Sequence, residues 1–107
     1  MPYGLKDKTI AMINSVFAKY PQVDEVILYG SRAKGTYKNG SDIDLTLKGE
    51  NLSLTITNKI ANEIDDLLLP YSFDISIFGD ISNRDLVEHI NRAGIVFCSH
   101  RPPFKGR

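Results

Sequence analysis

Tyr29-Gly30-Ser31-Arg32-Ala33-Lys34-Gly35-Thr36-Tyr37-Lys38-Asn39-Gly40-Ser41-Asp42-Ile43-Asp44-Leu45 is the stretch on which the reading of this chain turns. It opens with a Gly-Ser step at the end of an apolar run. A basic, glycine-containing loop follows, and then two aspartates alternate with aliphatic residues. Val26-Ile27-Leu28-Tyr29 is short, unbroken and apolar, which suits a strand covered on both faces. Ser31 can cap a short helix through Arg32, Ala33 and Lys34. Lys38-Asn39-Gly40-Ser41 reads as a turn. From Asp42 to Lys48 the alternation is strict, with Ile43, Leu45 and Leu47 on one side and Asp42, Asp44, Thr46 and Lys48 on the other.

Asp is disfavoured in strands, so two of them on one face between aliphatics require a reason. Their Cα atoms lie about 6.6 Å apart, twice the strand rise, with both carboxylates aimed at one spot. A bound cation removes their mutual repulsion. Magnesium fits best, because it takes oxygen ligands from one or two carboxylates and from substrate phosphates. Asp74 repeats the pattern among Phe73, Ile75 and Ile77 on a further predicted strand. If the two strands are neighbours, three carboxylates converge, enough for two metals, or for one metal and a general base. The competing reading is a solvated strand face.

Gly30 allows close backbone approach, and Ser31 with adjacent amides can cradle phosphate. A lone Gly-Ser is a weak signal; its weight comes from the aspartate pair that follows residues 32–41. Arg32, Lys34 and Lys38 are the candidate cations for a triphosphate. No Gly-Lys-Ser/Thr follows, so this is not a Walker loop. His89 and His100 have no partnered acid or nucleophile nearby and read as surface residues. Asp65 and Asp66 read as solvated, and Cys98 has no catalytic context.

Working outward, Leu5, Ile10, Ile13, Val16, Phe17 and Tyr20 predict an amphipathic helix near 5–20, stopped by Pro21. Ile56, Ile60, Ile64, Leu67 and Leu68 predict a second helix, started near Asn51 or Ser53 and stopped by Pro70. Phe73 to Phe78 predicts a strand. Leu86, Val87 and Ile90 predict a last helix, capped by Ser82 or Asn83 and ended by Gly94. Ile95-Val96-Phe97 is a candidate final strand, and 98–107 is expected to be a loose tail. The order gives one layered domain over 1–107.

These residues carry a family resemblance. Gly30-Ser31, then Asp42-Ile43-Asp44-Leu45, then Phe73-Asp74-Ile75 resembles the signature of the polymerase-β-type nucleotidyltransferase superfamily. The fuller Gly-Ser-Arg-Ala-Lys-Gly and Ser-Asp-Ile-Asp-Leu strings are similar to its smallest branch, the minimal nucleotidyltransferases. No position of the signature departs. The resemblance implies an α+β fold with a small mixed β-sheet flanked by helices. It implies that Asp42, Asp44 and Asp74 are catalytic and bind one or two magnesium ions. Gly30 and Ser31 would hold the nucleotide, with Arg32 and Lys34 beside them. The implied reaction moves a nucleoside monophosphate from an NTP, expected to be ATP, to a hydroxyl. Minimal members resemble one half of a toxin–antitoxin pair whose other half is a helical HEPN protein, which makes that partner the expected acceptor. The alternative is a catalytically weak binding module that masks such a partner.

Bulk properties lead us to expect a soluble, intracellular single domain. Thirteen basic residues balance thirteen acidic ones, which argues against wholesale electrostatic binding to nucleic acid or membrane. One cysteine rules out an internal disulfide and a cysteine-built zinc site. No run approaches the roughly 20 apolar residues that cross a bilayer, and the first residues lack the apolar block of a signal peptide. A cytoplasmic location is expected. A small core with amphipathic helices leads us to expect a homodimer or a hetero-oligomer.

Overall fold

The computed structural model describes residues 2–100. In chain order its elements are α1 (Asp7–Phe17), β1 (Glu25–Tyr29), α2 (Ser31–Lys34), β2 (Ile43–Lys48), α3 (Leu54–Asp65), β3 (Phe73–Ile77), α4 (Arg84–Ala93) and β4 (Ile95–Ser99). Short 3-10 turns occupy Pro2–Gly4 and Phe78–Asp80.

The strands form one mixed sheet in the order β3-β2-β1-β4. β1 is antiparallel to both of its neighbours, while β2 and β3 run parallel. That parallel pair needs a crossover, which α3 provides. The sheet is an α+β arrangement flanked by helices, as the resemblance implied.

Alternation along the strands sorts side chains onto two faces. Val26, Leu28, Ile43, Leu45 and Leu47 pack with Ile13, Phe17, Ile60 and Ile64 beneath α1 and α3, with Phe73 and Ile75 against them. On the opposite face, Ile27 and Tyr29 pack with Ile90 of α4, joined by Phe78, Ile81 and Leu86. Thr46 points into this second layer; it is fully buried and its hydroxyl is bonded to Ser76. β2 is therefore covered on both sides, and the free edge beside it belongs to β3.

Caps define the helices. The Ser53 hydroxyl accepts from the Ile56 amide, and the Asn83 side chain accepts from the Leu86 amide. α4 ends at Gly94, where a Cβ would strike the Ile90 carbonyl and the Ile27 side chain.

Three expectations need correction. α1 is shorter than 5–20, since Lys19 and Tyr20 already lie in a turn. α3 stops at Asp65, so Leu67 and Leu68 are not helical. The Leu67 and Leu68 amides donate to the Ile64 and Asp65 carbonyls three residues back, which tightens the last turn and takes the chain out of the helix before Pro70. Leu68 takes φ 57 and is 88% exposed, whereas Leu67 still packs against the core. Finally, β4 runs through Ser99, so Cys98 and Ser99 belong to the sheet and not to a tail. Residues 101–107 of that expected tail lie outside the described residues.

Candidate active site

The sheet brings the aspartates together. Asp44 lies opposite Asp74 in the parallel β2–β3 register, about 4.8 Å away at strand spacing. On its other side it lies opposite Tyr29. Asp42 immediately precedes β2, two residues upstream on the same face, and is exposed, as is Asp74. Asp44 is half-buried. Burial pushes its carboxyl above the ordinary range, and the charges of Asp74 and then Asp42 push it further the same way.

Gly30 explains why Asp44 can sit there. The glycine adopts φ 79 and ψ −154, a region essentially closed to residues with a side chain. A Cβ at this position would also run into the Asp44 carboxylate. Both objections hold for alanine. Gly30→Ala is expected to cost about 1–3 kcal/mol of stability from backbone strain alone. It should also displace Asp44, which a chemical-shift map of β2 together with a denaturant titration would read.

The loop that follows is not uniformly exposed. Ser31 is half-buried and Lys34 exposed. Arg32, a candidate cation for the triphosphate, is only 3% exposed. Its guanidinium donates to the Ser41 carbonyl from Nε (3.2 Å) and Nη2 (2.8 Å), and to the Tyr3 carbonyl from Nη1 (2.9 Å). The Tyr37 and Tyr71 rings lie 5.3 and 5.0 Å from its Cζ. Arg32 thus ties the loop to the residue preceding Asp42.

Two residues near the site were missed in the sequence. His89, expected on the surface, is half-buried on α4, and its Nε2 accepts from the Gly30 amide at 3.3 Å. Its ring stands edge-on to Tyr29 at 6.4 Å. Nothing local signals this, because α4 meets Gly30 from far along the chain. Tyr29 lies near Ser76, Asp74 and Asp44, and burial, with both carboxylates, pushes its phenol up against the opposing effect of Ser76. Its position just before Gly30-Ser31 was the available signal.

The donors fit a hard divalent ion. They are oxygens, and among the described residues the Asp44 carboxylate accepts no hydrogen bond that would otherwise balance its charge. Among the described residues no three acidic, histidine or cysteine side chains are gathered into a closed cage. Magnesium does not need one, since it is commonly held by one or two carboxylates with phosphate oxygens and water completing the shell.

The family model described as Polymerase beta, Nucleotidyltransferase matches residues 11–102. The chain belongs to this family. A nucleotidyltransferase is what the two-strand carboxylate arrangement beside Gly30-Ser31 suits. Solved structures share the fold at low identity. A chain of a toxin–antitoxin structure with AMP-PNP superposes with a TM-score of 0.69 at 18% identity, covering 91% of this chain and 76% of that one. A chain of the Shewanella oneidensis complex of tri-AMPylated HEPN toxin with MNT antitoxin gives 0.66 at 14%, covering 89% and 73%. The toxin–antitoxin MntA–HepT gives 0.65 at 14%, covering 88% and 73%. No curated protein matches this chain. Among the described residues no helix is long and apolar enough to cross a membrane.

Proposed function

We propose that this nucleotidyltransferase moves a nucleoside monophosphate from ATP to a hydroxyl on a helical HEPN-type partner protein. The observation that carries the reading is the register of Asp44 with Asp74, set against a glycine that only its lack of a side chain allows so close. The complex of tri-AMPylated HEPN toxin with an MNT antitoxin supports the choice of donor and acceptor by analogy of fold.

Asp42, Asp44 and Asp74 would hold one or two magnesium ions. Bound there, the metal supplies Lewis-acid neutralisation of charge on the phosphates. Ser31 and Lys34 would hold the triphosphate, the hydroxyl as a hydrogen-bond donor and the ammonium as a point charge. The Gly30 amide is already engaged by His89, which fixes the turn behind them. The acceptor oxygen attacks the α-phosphorus, and a new P–O bond forms as the bond to the β-phosphate oxygen breaks. Asp74, exposed at the sheet edge, takes the hydroxyl proton. Pyrophosphate leaves with the electron pair of the broken bond.

Ser31→Ala and Lys34→Ala are each expected to weaken ATP affinity about ten- to a hundredfold, the loss of one hydrogen bond or ion pair to a charged ligand. Both should leave the fold intact, because Lys34 is exposed and the Ser31 side chain makes no hydrogen bond to described residues. Calorimetric titration checks the affinity. The function itself is tested with labelled ATP, magnesium and a HEPN partner. Label on the partner that Asp44→Asn abolishes supports transfer. Tight association without label would mean that the chain only masks its partner.

A further inference from the structure

β3 is an outer strand, and no strand among the described residues pairs with its outer edge. The Ile43 amide donates to the Ser72 carbonyl at 2.9 Å, so by alternation Asp74 and Ser76 turn their backbone groups toward β2. Phe73, Ile75 and Ile77 turn theirs outward. The Ile77 carbonyl caps the 3-10 turn over Phe78–Asp80, while the outward amides of all three and the carbonyls of Phe73 and Ile75 have no hydrogen-bond partner among the described residues. Sheets usually protect such an edge with lysine, proline or a bulge, and β3 (Phe-Asp-Ile-Ser-Ile) has no lysine or proline.

Beside this edge runs a groove of about 330 Å³ between β3 and α3. Leu54, Ala61, Phe73 and Ile75 give it apolar walls, and its charged residues, among those described, are Asp65 and Asp74. The Phe73 and Ile75 side chains point to the α1–α3 face, whereas Asp74 alternates to the face of Asp44 and Tyr29.

Resting on the transfer reading above, we propose that the acceptor enters as an extended polypeptide segment that adds to the open edge of β3. Strand addition satisfies the outward amides of Phe73, Ile75 and Ile77 and the outward carbonyls of Phe73 and Ile75. It also places successive side chains of the segment on alternate faces. One side chain fills the groove under α3, and the next, bearing the hydroxyl, lies beside Asp74. Charge selects the occupant. The groove carries two acids and no cation among the described residues, which repels a nucleic-acid strand. A second copy would set Asp74 against an identical acidic edge. A neutral or basic polypeptide meets neither objection.

The test uses the full chain with magnesium, ATP and a lysine-flanked peptide of alternating valine and tyrosine. Amide exchange at Phe73, Ile75 and Ile77 should slow about tenfold or more at saturating peptide, in the Asp44→Asn variant as well as the parent. N-methylating the peptide at its edge-facing residues should remove the protection, and methylating the intervening residues should keep it. Ala61→Arg, which fills the groove, should weaken peptide binding about tenfold while ATP affinity is unchanged. Label transfer without protection of these three amides overturns the docking mode and leaves the transferase reading standing. Protection without label on any acceptor supports the docking mode and removes the transferase reading. Protection that is present without peptide and grows with protein concentration overturns the proposal, because a second copy then holds the edge.

Discussion

Asp44→Asn is expected to lower nucleotidyl transfer at least about a hundredfold while leaving the metal-free protein as stable as the parent, or more so. The two halves of this expectation have one cause. The Asp44 carboxyl is half-buried, faces Asp74 across the strand pair and has Asp42 two residues away. Its charge is therefore opposed in the metal-free fold and useful only when a cation is bound. Preorganised charge around a transferring phosphoryl group is worth about 10²–10³ in rate for each lost contact. Because folding raises this carboxyl's pKa, the sign with pH is fixed. At low pH the group is protonated in folded and unfolded chains alike and costs nothing. As pH rises from the ordinary carboxyl value through the raised one, the folded state loses stability relative to the unfolded. Denaturant titrations without metal should show that loss in the parent and a flatter profile in Asp44→Asn. Magnesium should then raise the parent's melting temperature, since a ligand at a hundredfold its Kd adds about 2.7 kcal/mol. The variant should respond little. If Asp44→Asn strongly destabilises the metal-free protein, the carboxylate is a structural acceptor and the metal reading falls.

Local pattern made the aspartates and the strands legible. Period-two alternation is a property of adjacent residues, and the sheet preserves it over Ile43–Lys48 and Phe73–Ile77, one residue short of each expected strand. Strand order is not local, so the sequence left open whether Asp44 and Asp74 would meet. At the end of α3 the helical spacing runs on through Leu67 and Leu68, yet the helix stops at Asp65, its last turn closing in bonds three residues back and Leu68 turning left-handed. That turn is not a property of apolar spacing, so periodicity overran the helix. Arg32 and His89 were misread for a different reason. Each looks like a surface residue among its chain neighbours, and each is defined by a partner elsewhere in the fold: Tyr3 and Tyr71 for Arg32, Gly30 for His89.

Arg32→Ala should therefore be principally a stability variant, with a loss of about 2–4 kcal/mol. The guanidinium is buried and donates three hydrogen bonds to two backbone carbonyls, those of Ser41 and Tyr3. Hydrogen bonds from a charged group contribute about 1.5–3 kcal/mol, and stranding buried carbonyls adds desolvation cost. Truncation also leaves the Tyr37 and Tyr71 rings without the planar group lying between them. Arg32→Lys should not rescue the loss, because a single ammonium cannot reproduce a fork that reaches both carbonyls. Since Ser41 is the residue before Asp42, the same variant should loosen the start of β2, and with it one of the proposed metal carboxylates. Magnesium affinity should fall alongside stability, whereas a residue acting only on nucleotide phosphate would lower ATP affinity and leave the unfolding midpoint unchanged. An unchanged midpoint in Arg32→Ala would return this arginine to the phosphate site and remove it from the framework.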